Sequence, residues 1–258
     1  MGVQYKYVLT GIFLVKMIDI RLTRRVDIGG FTLINGFPND GLVGPVAISY
    51  IVEKLRLDMI GYIESKDFAP LVPVHDNKPV PLIKLYCSVE KRLLVVFAEW
   101  GIPTELVYEM GIELYNFARA NHIGKIVTIG SFPTEKGCDT AVAIGANDAA
   151  VREIKRSGMV QVDRAFVGGI NAIMLMHASM DDGNGIGILV PVQSGEQTAQ
   201  DIAKYDRYAE IAIKAVNKLL GINIDVTDLD RAAQEFDRRQ HEAQESHKEL
   251  GTGPPAYA

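Results

Sequence analysis

Two glycine-containing segments hold the residues best suited to chemistry. The first, Gly36–Gly44, lies between a predicted strand and a predicted helix. Glycines such as Gly36, Gly41 and Gly44 let backbone amides approach an anion at a helix N-terminus, so a phosphate-binding loop is one interpretation. The spacing matches neither GxGxxG nor a P-loop, and Asp40 would repel a phosphate. We therefore favour a tight turn in which Gly44 lets the helix pack closely on the strand.

The second segment, Gly130–Asp139, follows a predicted central strand and carries Ser131, Thr134, Glu135 and Cys138. Loops at the carboxyl ends of such strands are where α/β proteins usually hold ligands. A nucleophile needs an activating base, however, and none of the 5 histidines stands in a recognisable pairing with the serine or the cysteine. The segment is predicted to be a polar loop without catalysis.

Metal and disulfide chemistry is not indicated. The 2 cysteines, Cys87 and Cys138, form no CxxC motif and have no histidine at ligand spacing. The Asp181–Gly185 segment suggests calcium but lacks the glutamate at the twelfth position of an EF-hand loop, so a turn is predicted. We expect no cofactor and no metal, and isolated cysteines fit a reducing cytoplasm best.

The composition argues against nucleic-acid and membrane partners. The net charge is −5, and no stretch concentrates Lys and Arg with interleaved aromatic residues, as a nucleic-acid-binding surface would. The apolar run Tyr7–Val15 is too short to span a bilayer. An edge strand or an arm packed on the body is the preferred interpretation of that run.

Short apolar runs alternate with longer amphipathic ones, a pattern typical of interleaved strands and helices. Leu93–Phe97 and Ile126–Ile129 are apolar on both faces, so they are predicted to be central strands covered by helices on each side. The expected fold is a three-layer α/β/α sandwich with a mixed, largely parallel sheet. The predicted strands are residues 31–34, 59–63, 82–86, 93–97, 125–129, 141–144 and 186–192, and the main predicted helices are residues 46–55, 103–123 and 194–220.

The chain divides into four predicted parts: an N-terminal extension (1–16), an α/β/α core domain (17–224), a C-terminal helix (225–250) and a flexible docking tail (251–258). Residues 225–250 carry eight acidic residues against four Lys or Arg, and their apolar positions are sparse. Such a narrow stripe needs a surface to cover it, either the body or another copy of the chain. Glycine and proline keep the last eight residues extended. We therefore expect a homo-oligomer.

Four motifs follow one another along the chain. They are the Gly36–Gly44 turn, Ile-Gly-Ser-Phe-Pro-Thr, a Gly-Gly-Ile-Asn-Ala helix leading to a Gly-Ile-Leu-Val strand, and Leu-Leu-Gly-Ile-Asn-Ile-Asp ending at Asp225. This ordered set resembles the proteasome assembly chaperone family. The resemblance implies a fold similar to nucleoside phosphorylases, homo-oligomers in prokaryotic members, and binding to the proteasome core without nucleotide hydrolysis.

The last three residues, Ala256, Tyr257 and Ala258, fit the hydrophobic-Tyr-any ending that proteasome activators insert between subunits of the outer alpha ring. The free carboxylate can pair with a lysine of the partner, and the tyrosine supplies apolar area and a hydroxyl. The favoured hypothesis is a non-enzymatic, homo-oligomeric chaperone, adaptor or activator of the 20S proteasome core. The alternative is a nucleoside-phosphorylase-like or hydrolase-like enzyme, or a small-ligand-binding protein, that uses the two glycine-containing segments.

Overall fold

The computed structural model describes residues 17–38, 42–135, 138–193, 202–229 and 238 of the 258-residue chain. Within these ranges, nine strands form one sheet and two short strands form a separate hairpin. The sheet strands are β1 (Asp19–Leu22), β2 (Thr32–Asn35), β3 (Asp58–Glu64), β6 (Ile83–Ser88), β7 (Leu93–Ala98), β8 (Lys125–Thr134), β9 (Val142–Gly145), β10 (Val160–Gln161) and β11 (Gly185–Gln193), and the hairpin strands are β4 (Val74–His75) and β5 (Lys78–Pro79).

The strand order is β1-β3-β6-β7-β2-β8-β11-β9-β10. The four central strands, β7, β2, β8 and β11, run parallel, whereas β1, β3 and β6 on one side and β9 on the other join by antiparallel pairing. Central parallel strands must be covered on both faces, and every residue of β7 is buried. The predicted mixed sheet with a parallel centre is confirmed.

Five helices cover the two faces of the sheet in the described ranges: α1 (Val43–Lys54), α2 (Val107–Ala120), α3 (Asp148–Ser157), α4 (Gly169–Met180) and α5 (Ile202–Leu220). Buried residues of α1, α3 and α5 form one hydrophobic cluster with one face of the sheet, and those of α2 and α4 form a second cluster with the other face. The predicted three-layer α/β/α sandwich is therefore confirmed.

Helix α3 was not predicted, because its buried surface is small. Only Ala150 and Ile154 of its ten residues are buried, so its apolar pattern is too sparse to stand out. Local signals define it instead. The side chain of Asn147 accepts a hydrogen bond from the backbone amide of Ala150 at 2.8 Å, and Gly158 ends the helix at φ 68°.

The chain beyond residue 224 continues along the body. The hydroxyl of Tyr50 donates to the carbonyl of Asp225 at 2.7 Å, and Lys54 Nζ lies 2.8 Å from a carboxylate oxygen of Asp228. Leu229 is buried in the same cluster as α1 and α5. Most of the predicted C-terminal helix, residues 230–237 and 239–250, lies outside the described residues. The N-terminal extension and residues 194–201 of the predicted helix 194–220 lie outside them as well.

Candidate functional site

The carboxyl ends of the parallel strands hold most of the predicted site residues. Gly36 follows β2 directly, Gly44 is the second residue of α1, and Ser131 lies in the last part of β8. The chain leaves β2 for α1 on one face of the sheet and leaves β7 for α2 on the other. Open α/β sheets usually bind ligands where neighbouring strands diverge in this way. This edge is therefore the expected position of a ligand site.

Backbone packing accounts for the two described glycines of the first segment. A Cβ atom on Gly36 would lie 2.7 Å from the carbonyl oxygen of Gly44, and one on Gly44 would lie 2.9 Å from the carbonyl oxygen of Ile129. No side chain fits at such distances unless the backbone moves. The contact lets the start of α1 lie directly on the ends of β2 and β8, as a packing turn requires. Gly41 lies outside the described residues.

The second segment differs from its prediction. Instead of forming a loop after residue 129, β8 continues to Thr134, because β11 pairs with it as far as Gln193. Ser131 and Thr134 therefore occupy strand positions on opposite faces, and Thr134 Oγ1 donates to the carbonyl of Val192 at 3.2 Å. Glu135 is exposed beyond the strand. The predicted polar loop is corrected to a strand whose polar side chains do not converge.

Three buried polar side chains, Asn35, Thr128 and Asn171, lie on β2, β8 and the start of α4. Asn35 and Thr128 are paired in register on β2 and β8, and Asn171 Nδ2 donates to the carbonyl of Ile129 at 3.0 Å. Asn35 Nδ2 contacts Met174 Sδ at 2.9 Å. Among the described residues, Asn35 Oδ1, Thr128 Oγ1 and Asn171 Oδ1 have no hydrogen-bond partner. Two of these three atoms are acceptors and only the Thr128 hydroxyl can donate, so the set is poorly suited to a phosphate, which needs several donors.

A buried ion pair lies near the β6–β7 end of the sheet. Lys84 Nζ contacts Glu99 Oε1, and the two side chains are only 2% and 5% exposed. His75, on the β4–β5 hairpin, places Nε2 2.8 Å from Glu99 Oε2. The Lys84 ammonium also lies 5.9 Å from the centre of the Phe97 ring. Charged groups are rarely buried unless they are paired, so this cluster is either a structural element or part of a site.

The sequence analysis missed this cluster. Lys84 lies in the middle of an apolar run, and Glu99 directly follows the most buried strand. A charge at a strand position surrounded by apolar residues is the signal that could have identified it. Among the described residues, no group of three His, Cys, Asp or Glu side chains is placed to hold a metal ion.

A second polar network joins α2 to α4. The Tyr115 hydroxyl donates to Asp181 Oδ2 at 2.9 Å, and Arg119 Nη1 lies 2.5 Å from the same oxygen. The Tyr115 ring stacks on His177 with centroids 5.6 Å apart. Burial, followed by the hydrogen bond to Asp181, raises the pKa of Tyr115 to about 12. The network ties the end of α4 to α2 rather than forming a cleft.

Several large apolar side chains are exposed on the described surface. Phe166, in the loop between β10 and α4, is fully exposed, and Met180 on α4 is 73% exposed. Met176 on α4 and Tyr108 on α2 are also exposed. Single exposed apolar side chains are normal on a protein surface, and only a contiguous patch of them marks a contact site. Met174, by contrast, is buried in the core.

The tail residues Ala256, Tyr257 and Ala258 lie outside the described residues. The docking role assigned to them therefore stays a prediction. None of the described helices is both long enough and apolar enough to cross a membrane.

Solved structures share this fold over nearly the whole chain. PbaA of Pyrococcus furiosus, described as an archaeal homolog of proteasome-assembly chaperone, superposes with a TM-score of 0.76 at 22% identity, over 90% of this chain and 99% of that one. PbaB of the same organism, described as an archaeal proteasome activator, gives a TM-score of 0.69 at 22% identity, over 89% and 99% of the two chains.

Sequence comparison points to the same group of proteins. An uncharacterised protein of Methanocaldococcus jannaschii is 21% identical over 219 residues, which cover 84% of this chain and 87% of the relative. The model of the PAC2 family matches residues 33–244. With PbaA and PbaB among its structural neighbours, the resemblance predicted from the ordered motifs is confirmed. Because the match covers most of the chain, this protein belongs to the PAC2 family.

Proposed function

We propose that this protein is a non-enzymatic, homo-oligomeric partner of the 20S proteasome core, acting as an assembly chaperone or as an ATP-independent adaptor or activator in the cytoplasm. The observation that carries the proposal is the whole-chain similarity to both PbaA and PbaB, whose descriptions name proteasome assembly and proteasome activation. The Ala-Tyr-Ala ending supplies a chemically suitable docking group for the outer alpha ring.

The geometry of the strand ends supports a role in binding rather than catalysis. Gly36 and Gly44 contact each other's backbones, and Ser131 and Thr134 lie on opposite faces of β8. An active site requires a nucleophile or an acid–base pair within hydrogen-bonding reach of one reacting atom. We expect Ser131→Ala and Cys138→Ala to leave proteasome binding unchanged. A phosphorolytic or hydrolytic activity lost in either variant would favour the enzyme hypothesis.

Self-association would raise the affinity of the C-terminal tails for the proteasome core. A tail of eight residues must lose chain freedom when it docks, so one copy binds weakly. Several tails on one assembly raise the effective concentration and bind far more tightly together. Exposed apolar side chains such as Phe166 and Met180 are available to form the contacts between copies.

The test is a pull-down with purified proteasome core. The intact chain is compared with a chain ending at Gly253 and with Tyr257→Ala. Ala258→Gly is the matched control, because only the terminal carboxylate of Ala258, which this variant keeps, is proposed to contact the partner. Truncation and Tyr257→Ala are expected to abolish most of the binding, and Ala258→Gly to retain it. If Tyr257→Ala binds the core as tightly as the parent, docking through the tail is wrong.

A further inference from the structure

Helix α4 has an uncharged outer side. It lies at the surface, yet of the five described helices it alone contains no Asp, Glu, Lys or Arg. A surface helix normally carries charged residues on the side that faces away from the core. On α4 that side is the α4 stripe, formed by Ala172, Met176, Ser179 and Met180. Met176 and Met180 are 43% and 73% exposed, so the stripe presents apolar area that nothing in the described chain covers.

The apolar area continues onto helix α2. The two helices run parallel and in step, because three contacts join residues that are 62 positions apart in the chain: Gly111 with Ile173, Tyr115 with His177, and Arg119 with Asp181. By the same step, Tyr108 of α2, which is 52% exposed, lies beside the first turn of α4. Tyr108 and the stripe thus form one contiguous patch, and a patch of this kind marks a contact site.

The charges at the two ends of α4 are opposite to those that its dipole favours. Acidic side chains stabilise the N-terminus of a helix and destabilise its C-terminus. The first turn of α4 has no acidic residue, and its N-cap, Gly168, makes no side-chain hydrogen bond. Two exposed acids, Asp181 and Asp182, follow the last residue instead. Arg119 pairs with Asp181, but no described residue forms an ion pair with Asp182.

A second copy of α4, packed in the antiparallel direction, corrects both ends at once. Each helix then places its C-terminal acids beside the N-terminal amides of the other, where negative charge is favourable. The middle of the contact is uncharged on both sides, so no like charges oppose each other there. The arrangement of charge along α4 is therefore complementary to a reversed copy of itself.

We propose that α4 of one copy of this chain packs antiparallel on α4 of a second copy, about a two-fold axis at Met176. The two Met176 side chains meet at the centre, and the small Ala172 of each copy faces the large Met180 of the other. Asp182 of each copy lies opposite Ile170, in the first turn of the other helix. Such a contact uses the same surface on both copies and closes as a dimer. The inference rests on the self-association included in the proposed function and names the surface that produces it.

The terminal parts of the same chain begin far from the α4 stripe. Leu229 is buried with α1 and α5, whereas α4 packs on the other face of the sheet. Residues 1–16 precede β1, and four strands separate β1 from β8, on which α4 packs. At a strand spacing of about 4.8 Å, the distance between β1 and β8 is about 24 Å. A second copy needs no such reach and is the favoured cover.

Charges introduced at Met176 test the two-fold contact. Met176→Glu and Met176→Lys each place two like charges at its centre, so each variant alone should associate at least tenfold more weakly than the parent. A mixture of the two variants pairs the introduced glutamate with the introduced lysine and should regain association. Val89→Glu is the matched control, because Val89 is 63% exposed in the β6–β7 turn, away from α4. Circular dichroism verifies that each variant is folded.

A further variant tests the antiparallel direction. Asp182→Asn removes the two end charges of the dimer and keeps the shape of the side chain, so it should weaken association roughly threefold or more at low salt. Sedimentation at micromolar concentration measures association for all variants. Association of Asp182→Asn that equals or exceeds that of the parent would contradict the antiparallel arrangement.

Three results overturn the contact at Met176: a monomeric parent, a Met176→Glu variant that assembles like the parent, or a mixture that associates as weakly as the single variants. A monomeric parent whose unfolding midpoint falls in Met176→Glu would assign the cover of the stripe to residues 1–16 of the same chain. Unchanged assembly of Met176→Glu with loss of proteasome binding would assign it to the core particle. Both of these results also overturn the inference.

The proteasome pull-down distinguishes this inference from the proposed function. If the parent assembles through α4 but does not bind the core particle, the proposed function fails and the contact between copies stands. If the parent binds the core and Met176→Glu assembles unchanged, the contact fails and the proposed function stands.

Discussion

Replacing Lys84 by methionine should destabilise this protein far more than the loss of a surface ion pair does. Methionine matches the length and apolar stem of lysine but removes the ammonium that contacts Glu99 Oε1. Glu99 is left with its side chain only 5% exposed and a carboxylate that water cannot solvate. Removing one member of a buried pair typically costs about 3–5 kcal/mol, because the remaining charge loses its opposite charge. His75 Nε2, 2.8 Å from Glu99 Oε2, stays as a hydrogen-bond partner of the carboxylate.

This cost is a large fraction of the stability of a typical domain, which is about 5–15 kcal/mol. At roughly 2–4 °C per kcal/mol for a chain of this size, the midpoint of thermal unfolding should fall by about 6–20 °C. The double variant Lys84→Met/Glu99→Leu replaces the pair with apolar groups of similar volume. It should recover most of the loss, because His75 is 26% exposed and water can replace its carboxylate partner.

The assay is urea unfolding followed by circular dichroism and by the fluorescence of Trp100, the only tryptophan. Lys54→Met is the matched control, since Lys54 also contacts a carboxylate, that of Asp228, but the two side chains are 29% and 59% exposed. Such a pair is worth at most about 1 kcal/mol. The reasoning is refuted if Lys84→Met costs no more than Lys54→Met, or if the double variant is as unstable as the single one.

Two further predictions follow from the packing and from the pKa of Tyr115. Gly44→Ala should lower the free energy of unfolding by about 1–3 kcal/mol, because its Cβ would lie 2.9 Å from the carbonyl oxygen of Ile129. Gly101→Ala should be nearly neutral, because a Cβ there meets no atom within 4 Å. Urea unfolding of both variants measures the difference, and equal stabilities would contradict the packing role of Gly44. Burial and the hydrogen bond to Asp181 raise the pKa of Tyr115 to about 12, so its contribution to stability is complete below pH 10 and is lost as the pH rises towards 12. Ultraviolet difference titration should show the same number of tyrosines ionising near pH 10 in the parent and in Tyr115→Phe, because Tyr115 of the parent ionises only near pH 12. One tyrosine more ionising near pH 10 in the parent than in Tyr115→Phe would contradict the assignment.

Periodicity determined the fold class from the sequence. The run at 93–97 is apolar at every position and the run at 126–129 is apolar except at Thr128, and only strands covered on both faces tolerate that pattern. Pro103, an acidic residue in the first turn and a periodic apolar stripe predicted helix α2. These features depend on residues close together in the chain, so they can be predicted from the sequence without knowledge of the tertiary structure. The order of the motifs likewise identified the family.

Elements stabilised by contacts with distant residues could not be predicted from the sequence. The loop predicted after residue 129 is a strand because β11, more than fifty residues later, pairs with it through Gln193. Ser131 and Thr134 looked like neighbours lining one site, but the strand's alternation of side chains sends them to opposite faces. Helix α3 was missed for another reason: its two buried residues give too weak an apolar pattern, and the capping residues at its two ends were not recognised.

The sequence by itself determined every strand of the sheet except the edge strands β1 and β10, which family the chain resembles, and that its ending suits a docking role. Only the tertiary structure decided that Gly36 and Gly44 pack against each other, that Lys84 and Glu99 share a buried site, and that Phe166 is fully exposed. The physical reason is the sequence separation between the residues that interact. Periodicity and capping act between residues a few positions apart, whereas burial and pairing depend on which distant segments the fold brings into contact.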